Sequence, residues 1–427
     1  MTSADLRAVG ARTFRSLRIR NYRLFFFGQL VSVSGTWMQT VAQSWLVLDL
    51  TGSGVDLGIT VSLQFLPMLL FGLWGGLLAD RYDKRKLLVG TQVVSAVLGF
   101  ALFALVAADA VELWMVYVLA FLLGVVTMVD MPARQSFVIE MVGPDEIPNA
   151  VGLNSAMYNT GRILGPAIAG VTISTLGIAP AFLANAVSYL AVVVALMAMN
   201  TDELHRREPA ERTRGEVRAG LRYVWADPVL RSTLFLVGVL GLFGFNFIVV
   251  LPLLAKFTFS GGAGLYSVMT ALMSLGSLSG ALYAASRLEP TRRRLVGSGI
   301  AFGVLLLATS VAPTAWLTCV LLVAVGTSVM LFMATANTTL QLNSDPAMRG
   351  RVMALYGLLF LGTTPAGAPL LGWISEEWGP RFGLAIGGVL SLAAALAAAS
   401  RTWSRRRAGA LAAAAGAGEA ANVIAAA

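Results

Sequence analysis

Gly76-Leu-Leu-Ala-Asp80-Arg81-Tyr-Asp83-Lys84-Arg85-Lys86 is the stretch whose reading decides the fold. An apolar run ends in Gly-x-x-x-Asp-Arg, turns at once through a basic cluster, and gives way to another apolar run. The rest of the chain repeats that alternation. Its 427 residues are 57% hydrophobic and 12% charged, more apolar than a soluble core of this size requires. About 20 apolar residues in a helix cross ~30 Å of hydrocarbon. Runs of this kind lie near 24–48, 55–79, 87–107, 113–133, 148–174 and 179–199. A second set lies near 230–256, 264–286, 295–312, 315–338, 352–374 and 381–400. They are too long and continuous for barrel strands. The expectation is an all-α membrane protein of twelve transmembrane helices.

Charge placement predicts the orientation. With the N-terminus in the cytoplasm, 28 of the 31 Lys and Arg fall in cytoplasmic segments. Lys256 and Arg381 fall on the other side, and Arg162 falls inside a span. This is the positive-inside asymmetry, and it predicts an even number of spans with both termini cytoplasmic. The net charge of +9 then describes a basic membrane face and calls for no nucleic-acid partner. Residues 1–23 are basic without an apolar stretch, so no cleavable leader is read and the first span serves as the insertion signal. Arg far outnumbers Lys, and Ala and Gly are abundant, a pattern associated with GC-rich bacterial genomes; the expected location is a bacterial inner membrane.

The 76–86 stretch resembles the loop between the second and third helices of major facilitator transporters, whose pattern is Gly-x-x-x-Asp-Arg-x-Gly-Arg-Arg. Gly76, Asp80, Arg81, Lys84 and Arg85 match it; Asp83 stands where the second Gly is usual. Gly161-Arg162-Ile-Leu-Gly165-Pro166-Ala-Ile-Ala169-Gly170 is similar to the Gly-x-x-x-Gly-Pro-x-x-Gly-Gly element in the fifth helix of major facilitator drug exporters, with Ala169 for one Gly. The stretch from Asp130-Met-Pro132-Ala-Arg134 through Asn149 and Asn154 to Gly165-Pro166 resembles the bacterial subgroup that includes enterobactin and macrolide exporters. The fourth span lacks the deep Arg that proton-driven drug exporters often carry. The resemblance implies two pseudo-symmetric six-helix bundles and a secondary active exporter of an amphipathic small molecule. It implies alternating access, with protons as the coupling ion in antiport, and a monomer in the lipid bilayer. It also implies that Asp80 is a conformational latch facing Arg349, Gly350 and Arg351 at the start of the eleventh helix.

The chain echoes itself. A shift of 204 residues takes Gly76 to Gly280, and basic loops follow both. Gly165-Pro166 has its counterpart in Ala368-Pro369. Duplicated six-helix halves place a substrate site near mid-membrane between them. The expected organisation is a first bundle over 1–200, a cytoplasmic linker over 201–229, a second bundle over 230–400, and a disordered or weakly helical tail over 401–427. In the linker, Val217, Leu221, Val224 and Trp225 recur at helical spacing opposite Arg218 and Arg222. That amphipathic helix fits the lipid surface or the underside of the bundle.

Charges inside spans are costly and few, so each is a functional candidate. Arg162 shares a stripe with Asn154 and Tyr158 at i+4 spacing, roughly 20 Å from the cytoplasmic side. It either attracts a polar or anionic substrate group or is a satisfied structural Arg. Asp130 is read as the one carboxylate inside a span. It is either a proton-coupling site or a lock formed with Arg134 and the 80–86 loop. The first span carries Trp37, Gln39, Thr40 and Gln43 near its middle, and Gln39 and Gln43 share a face that lines the cavity or a helix contact. Asn246, Met330 and Asn337 join them as candidates for an adaptable cavity lining. The mostly apolar pocket candidates favour export over uptake of a small polar nutrient, which is the alternative.

No cofactor, metal site or catalytic group is expected. The single Cys319 has no disulfide partner. The single His205 sits in a charged loop beside Arg206, Arg207 and Glu208. An integral-membrane enzyme would need a nucleophile with its base, or metal ligands, at membrane depth.

Overall fold

The computed structural model describes residues 13–205, 216–286 and 291–400. The readings made for 1–12, for 206–215 of the linker, for 287–290 of the basic loop and for the 401–427 tail lie outside the described residues.

The first six crossings are α1 (Arg20–Thr51), α2 (Gly54–Arg81), α3 (Lys84–Ala107), α4 (Leu113–Val142), α5 (Ile147–Leu176) and α6 (Ala179–Met197). The linker helix α7 (Glu216–Ala226) leads into a seventh crossing broken into α8 (Pro228–Phe243) and α9 (Phe247–Leu253), with a wide turn over Leu254–Thr258. The next three crossings are α10 (Ala263–Ser286), α11 (Arg292–Ser310) and α12 (Ala315–Leu342). The eleventh is broken into α13 (Pro346–Leu361) and α14 (Thr364–Trp378), and α15 (Pro380–Ser400) is the twelfth. Among the described residues, ten stretches are both long and apolar enough to cross a bilayer. The other two crossings, α1 and α5, have the length, at 32 and 30 residues, but carry the polar stripes.

Local chemistry sets the helix ends. Gly52 at φ 67° closes α1 in the left-handed conformation, and the Ser53 hydroxyl accepts from the Asp56 N–H to open α2. Asp83 accepts from the Lys86 N–H and caps α3. The departure from the family pattern thus has a local reason: the residue in the usual Gly position starts the next helix. Asp227 accepts from the Val229 and Leu230 N–H groups behind Pro228, which is pre-set for the first turn of α8.

One boundary differs materially from the expectation. The fourth crossing runs through Pro132 to Val142 instead of ending near 133, because the residues beyond the proline bury Phe137, Val138, Glu140 and Met141. Asp130 is therefore not the one carboxylate within a span.

Helix α1 packs on α5 and α6, α2 on α4, α3 on α4 and α6, and α12 on α10 and α11. Two seams join the first six crossings to the last six: α2 against α14 and α5 against α10. The duplication converts one seam into the other, since the second crossing maps to the eighth and the fifth to the eleventh. The α2–α14 seam is close enough that a Cβ on Gly58 would lie 2.5 Å from the Ala368 carbonyl oxygen. Ser62 donates to the Pro365 carbonyl at 2.7 Å.

The seams close one end of the molecule only. Call the end that holds the start of α1 and the 81–86 loop the basic end. At the opposite end one apolar core is shared, from Met38–Leu48 and Leu57 to Val249–Ala255, Met269 and Ala368–Ile374. Along the second half this core continues to Leu295, Val296 and Ala398, but at the basic end it includes no residue of the first half, and two further cores stand apart there. Tyr22, Phe25, Phe137, Met141 and Leu196 belong to the first, and Val224, Leu230, Leu340 and Val352 to the second. The polar bonds between the halves follow the same rule. Glu376 accepts from Ser53 Oγ at 2.8 Å and Val55 N at 3.0 Å, and Lys256 donates to the Leu48 carbonyl at 2.7 Å and to Asp49 at 2.8 Å. The result is a cleft between the halves that opens at the basic end.

Candidate functional site

The first half holds a buried polar network on four crossings. Asp130 of α4 accepts from Thr91 Oγ1 at 2.7 Å and Gln92 Nε2 at 2.8 Å, both on α3. Its second oxygen pairs with Arg134 one turn on. Arg134 also donates to Gln29 Oε1 of α1 at 3.0 Å and to the Tyr158 hydroxyl of α5 at 2.7 Å, with its guanidinium 6.0 Å from the Tyr158 ring centre. A buried ion pair offsets its desolvation only when further hydrogen bonds occupy the remaining lone pairs and protons, as here. Gln29 Nε2, Gln92 Oε1 and Arg134 Nε are buried in the same network without a protein partner.

The lock expected between Asp130, Arg134 and the 80–86 loop is built differently. Asp130 and Arg134 do pair, but the α3 amide and hydroxyl complete the site. From the loop, Lys84 pairs with Glu140 at 2.7 Å. Arg85 donates to the Leu196 and Met197 carbonyls at 2.7 and 3.2 Å, holding the end of α6. Gly76 and Asp80 lie half-buried on the last turns of α2, and Arg81 is exposed. In this state α13 leans on α7 and α8, where Gly220 lies against the Arg351 side chain.

A second cluster sits where the separate cores give way to the shared one. Gly161 and Gly165 let α5 lie against Val33, Ser34 and Trp37 of α1, and Gly170 lies against Ser267 of α10. Pro166 is buried without ending α5. The guanidinium of Arg162 lies 5.3 Å from the centre of the Trp37 ring, a cation–π distance. Its Nε is buried and has no protein partner. Towards the basic end the same helix shows Gly152, Ser155 and Tyr158 to solvent and half-buries Asn154 and Asn159. The predicted stripe of Asn154, Tyr158 and Arg162 is thus part of a wider polar face, with Arg162 and Trp37 at its deep end. Such a face suits a water-filled cleft and not lipid.

Other candidates are placed elsewhere. Gln39 is buried and accepts from Asn185 Nδ2 of α6 at 2.6 Å, so it ties two helices within the first half. Gln43 is buried one turn further along. Asn246 is 5% exposed and donates to the Leu242 carbonyl at 2.8 Å, capping the break between α8 and α9. It lines a small internal hollow with Phe243, Phe247, Leu306, Leu371 and Leu384, away from the Arg162 cluster. Met330 packs beside Gly280 of α10. Asn337 accepts from Gln341 at 2.5 Å and hydrogen-bonds Tyr356 of α13.

Several participants were not singled out from sequence. Gln29, Thr91, Gln92 and Asn185 are polar groups inside apolar runs, the same signal that marked Gln39, and it would have found them. The aromatic group of Phe245, Phe302, Phe360 and Tyr356, with ring centres 5.5 to 6.2 Å apart, carries no such signal. Its members lie on three crossings far apart in sequence. Among the described residues no group of His, Cys, Asp and Glu could hold a metal ion.

Twelve crossings in two related sets, with a polar-lined cleft between them, define a multi-pass membrane transporter of small molecules. The family model for transmembrane secretion effectors matches residues 11–416, and the chain belongs to that major facilitator family. It is 24% identical over 372 residues to the staphyloferrin A transporter of Staphylococcus aureus, covering 84% of this chain and 90% of that one. It is 29% identical over 368 residues to the multidrug efflux pump Tap of Mycolicibacterium fortuitum, covering 83% and 89%. Among solved structures the nucleoside transporter NupG superposes with a TM-score of 0.69 at 14% identity, covering 90% of this chain and 99% of that one; this likeness concerns the fold.

Proposed function

We propose that the protein exports an amphipathic small molecule, of drug or siderophore type, by alternating access driven by proton antiport. The observation that carries the reading is the cleft that opens at the basic end and leads to the Arg162–Trp37 pair. By the positive-inside rule that end faces the cytoplasm, with both termini there, in a bacterial inner membrane. A molecule with an apolar body and an anionic or polar group would enter from the cytoplasm or inner leaflet. It would lie along the polar face of α5, and its polar group would meet Arg162. The name of one relative above, a multidrug efflux pump, agrees with that direction, and the name of the other, a staphyloferrin A transporter, agrees with a small-molecule cargo. Asp130 and Glu140 are the buried carboxylates available to a coupling proton on α4, each already facing a cation.

The proposed working parts are a first bundle over 1–200, a linker over 201–229, a second bundle over 230–400 and a tail over 401–427, acting as a monomer. Asp80 acts as the latch of the other state. When the opposite end opens, the basic ends of α2 and α13 approach, and Asp80 meets the helix start near Arg349 and Arg351. An anion there is favoured by the exposed N–H groups.

The test is the accumulation of a panel of amphipathic compounds in cells with and without the protein, before and after a protonophore. Lower accumulation that the protonophore abolishes supports proton-driven export. Greater accumulation in expressing cells overturns the direction. Lower accumulation that survives the protonophore removes the proton from the mechanism.

A further inference from the structure

The linker helix α7 has two faces with different fates. Val224 is 3% exposed and packs with Leu230, Leu234, Val352 and Leu355. Gly220 lies against Arg351. The Tyr223 hydroxyl accepts from the Asp345 N–H and donates to the Asp345 carboxylate, both at 3.1 Å. At 100° per residue these three residues share one arc, and they fix α7 to the start of α13. Leu221, Arg222 and Trp225 occupy the opposite arc. Leu221 is 51% exposed, Trp225 66%, and Arg222 is exposed as well. Arg231, one turn into α8, curls back to donate to the Trp225 carbonyl at 3.2 Å. Its guanidinium is therefore held at the last turn of α7 with further N–H groups to offer.

This patch pairs an exposed aliphatic and an indole, one helical turn apart, with Arg222 on the same arc and the Arg231 guanidinium at the end of the helix. Trp225 lies three residues before Pro228, the first residue of the seventh crossing, and Trp prefers the membrane–water interface. A water-facing linker helix gains nothing from presenting Leu and Trp to solvent. A helix on a membrane surface buries such residues and sets its cations among the headgroups. We propose that the outward face of α7 is a docking surface for anionic phospholipid in the leaflet at the basic end. Leu221 and Trp225 enter the acyl boundary, and Arg222 and Arg231 hold the headgroup phosphate. Because the inward face is fixed to α13 through Tyr223 and Asp345, a lipid seated there also bears on the position of the eleventh crossing. The inference stands apart from the direction of transport and from any coupling ion.

The experiment uses the full chain in lipid bilayers. The fluorescence of Trp225 is taken as the difference between the wild type and Trp225→Phe. Its quenching is compared for brominated phosphatidylglycerol and brominated phosphatidylcholine at equal mole fraction. The expected result is stronger quenching by the anionic lipid. Each Arg contributes about a fivefold local enrichment, and Arg222→Gln with Arg231→Gln removes the excess while phosphatidylcholine still quenches. Equal quenching by the two lipids, or an excess that survives both substitutions, overturns the headgroup assignment. Absence of quenching by either lipid overturns the docking surface itself and leaves the face to a protein partner. Circular dichroism and the elution profile of each variant establish that it is folded.

Discussion

The first and last six crossings share a scaffold and differ in what fills it. The first half holds two ion pairs in its interior, Asp130 with Arg134 and Lys84 with Glu140. Its crossings α1 and α5 run unbroken for 32 and 30 residues. Their counterparts in the second half, the seventh and eleventh crossings, are both broken, at Gly244–Asn246 and at Gly362–Thr363. The two breaks meet: a Cβ on Gly241 would lie 2.7 Å from Thr363 Oγ1, and one on Gly367 would lie 2.7 Å from Asn246 Nδ2. Phe245, Phe302 and Phe360 fill the space around them. Directional bonds among charged groups fix one geometry. Aromatic rings and helix breaks can settle into more than one. The difference is that the first half is pinned by ion pairs, whereas the second half is interrupted in both of the crossings that correspond to α1 and α5.

The largest expected effect comes from breaking the fixed half. Asp130→Ala leaves Arg134 buried without its counter-ion, a change that costs about 3–5 kcal/mol in buried pairs. Detergent unfolding should show a stability loss of that order. Asp130→Asn with Arg134→Gln should recover much of it, because no lone charge remains. If the single and double variants are equally destabilised, the pair is not what holds α1, α3, α4 and α5 together.

Next is the proposed recognition surface around Arg162. Arg162→Lys, Arg162→Gln and Arg162→Ala should lower transport more than tenfold while shifting the unfolding midpoint little. The cation–π contact with Trp37 contributes only about 0.5–2 kcal/mol, and the buried Nε contributes no protein hydrogen bond. Parallel loss of stability and transport across all three variants would make Arg162 a structural residue and remove the polar end of the proposed site.

Much of this half was legible in the sequence, and the reason is physical. A charge or amide inside an apolar run is expensive, so Asp130, Arg134, Arg162 and Gln39 announce themselves. What a sequence does not show is which way such a group turns. Gln39 faces Asn185 inside the first bundle and Arg162 faces Trp37, although both carry the same signal. The end of the fourth crossing was misplaced because Pro132 and Arg134 look like a terminus. The helix continues since Phe137 and Met141 bury on its far side. The breaks of the second half were not legible at all. Gly244 and Gly362 are two of 44 glycines, and only contact between remote segments distinguishes them.

The bending half should respond more gently. Asn246→Ala removes the side-chain bond to the Leu242 carbonyl, and one such bond contributes about 1 kcal/mol. The expected outcome is a modest stability loss with a clear drop in turnover, because the cap sits where α8 meets α9. Turnover that falls no further than stability would mean that the break is a fixed kink and not a hinge.

The smallest effect should come from the one ion pair among the bonds described between the two halves, and it separates bonds within a half from bonds between them. Lys256 and Asp49 have side chains 27% and 43% exposed, so their ion pair is screened and contributes about 0.2–1 kcal/mol. Lys256→Gln should therefore leave unfolding almost unchanged. It should still favour opening of the end that the seams close, by at most about fivefold, because the bond exists only while that end is shut. Val61 is 5% exposed and lies on α2 beside Ser62, which bonds across the α2–α14 seam. In a Cys319→Ala background, Val61→Cys would report opening through its rate of reaction with a membrane-impermeant maleimide. Lys256→Gln should raise that rate, whereas Asp130→Asn with Arg134→Gln, which acts within one half, should not. A rate unmoved by Lys256→Gln would assign closure to the glycine contacts of the seam, such as Gly58 on Ala368, and leave the ion pair without a gating role.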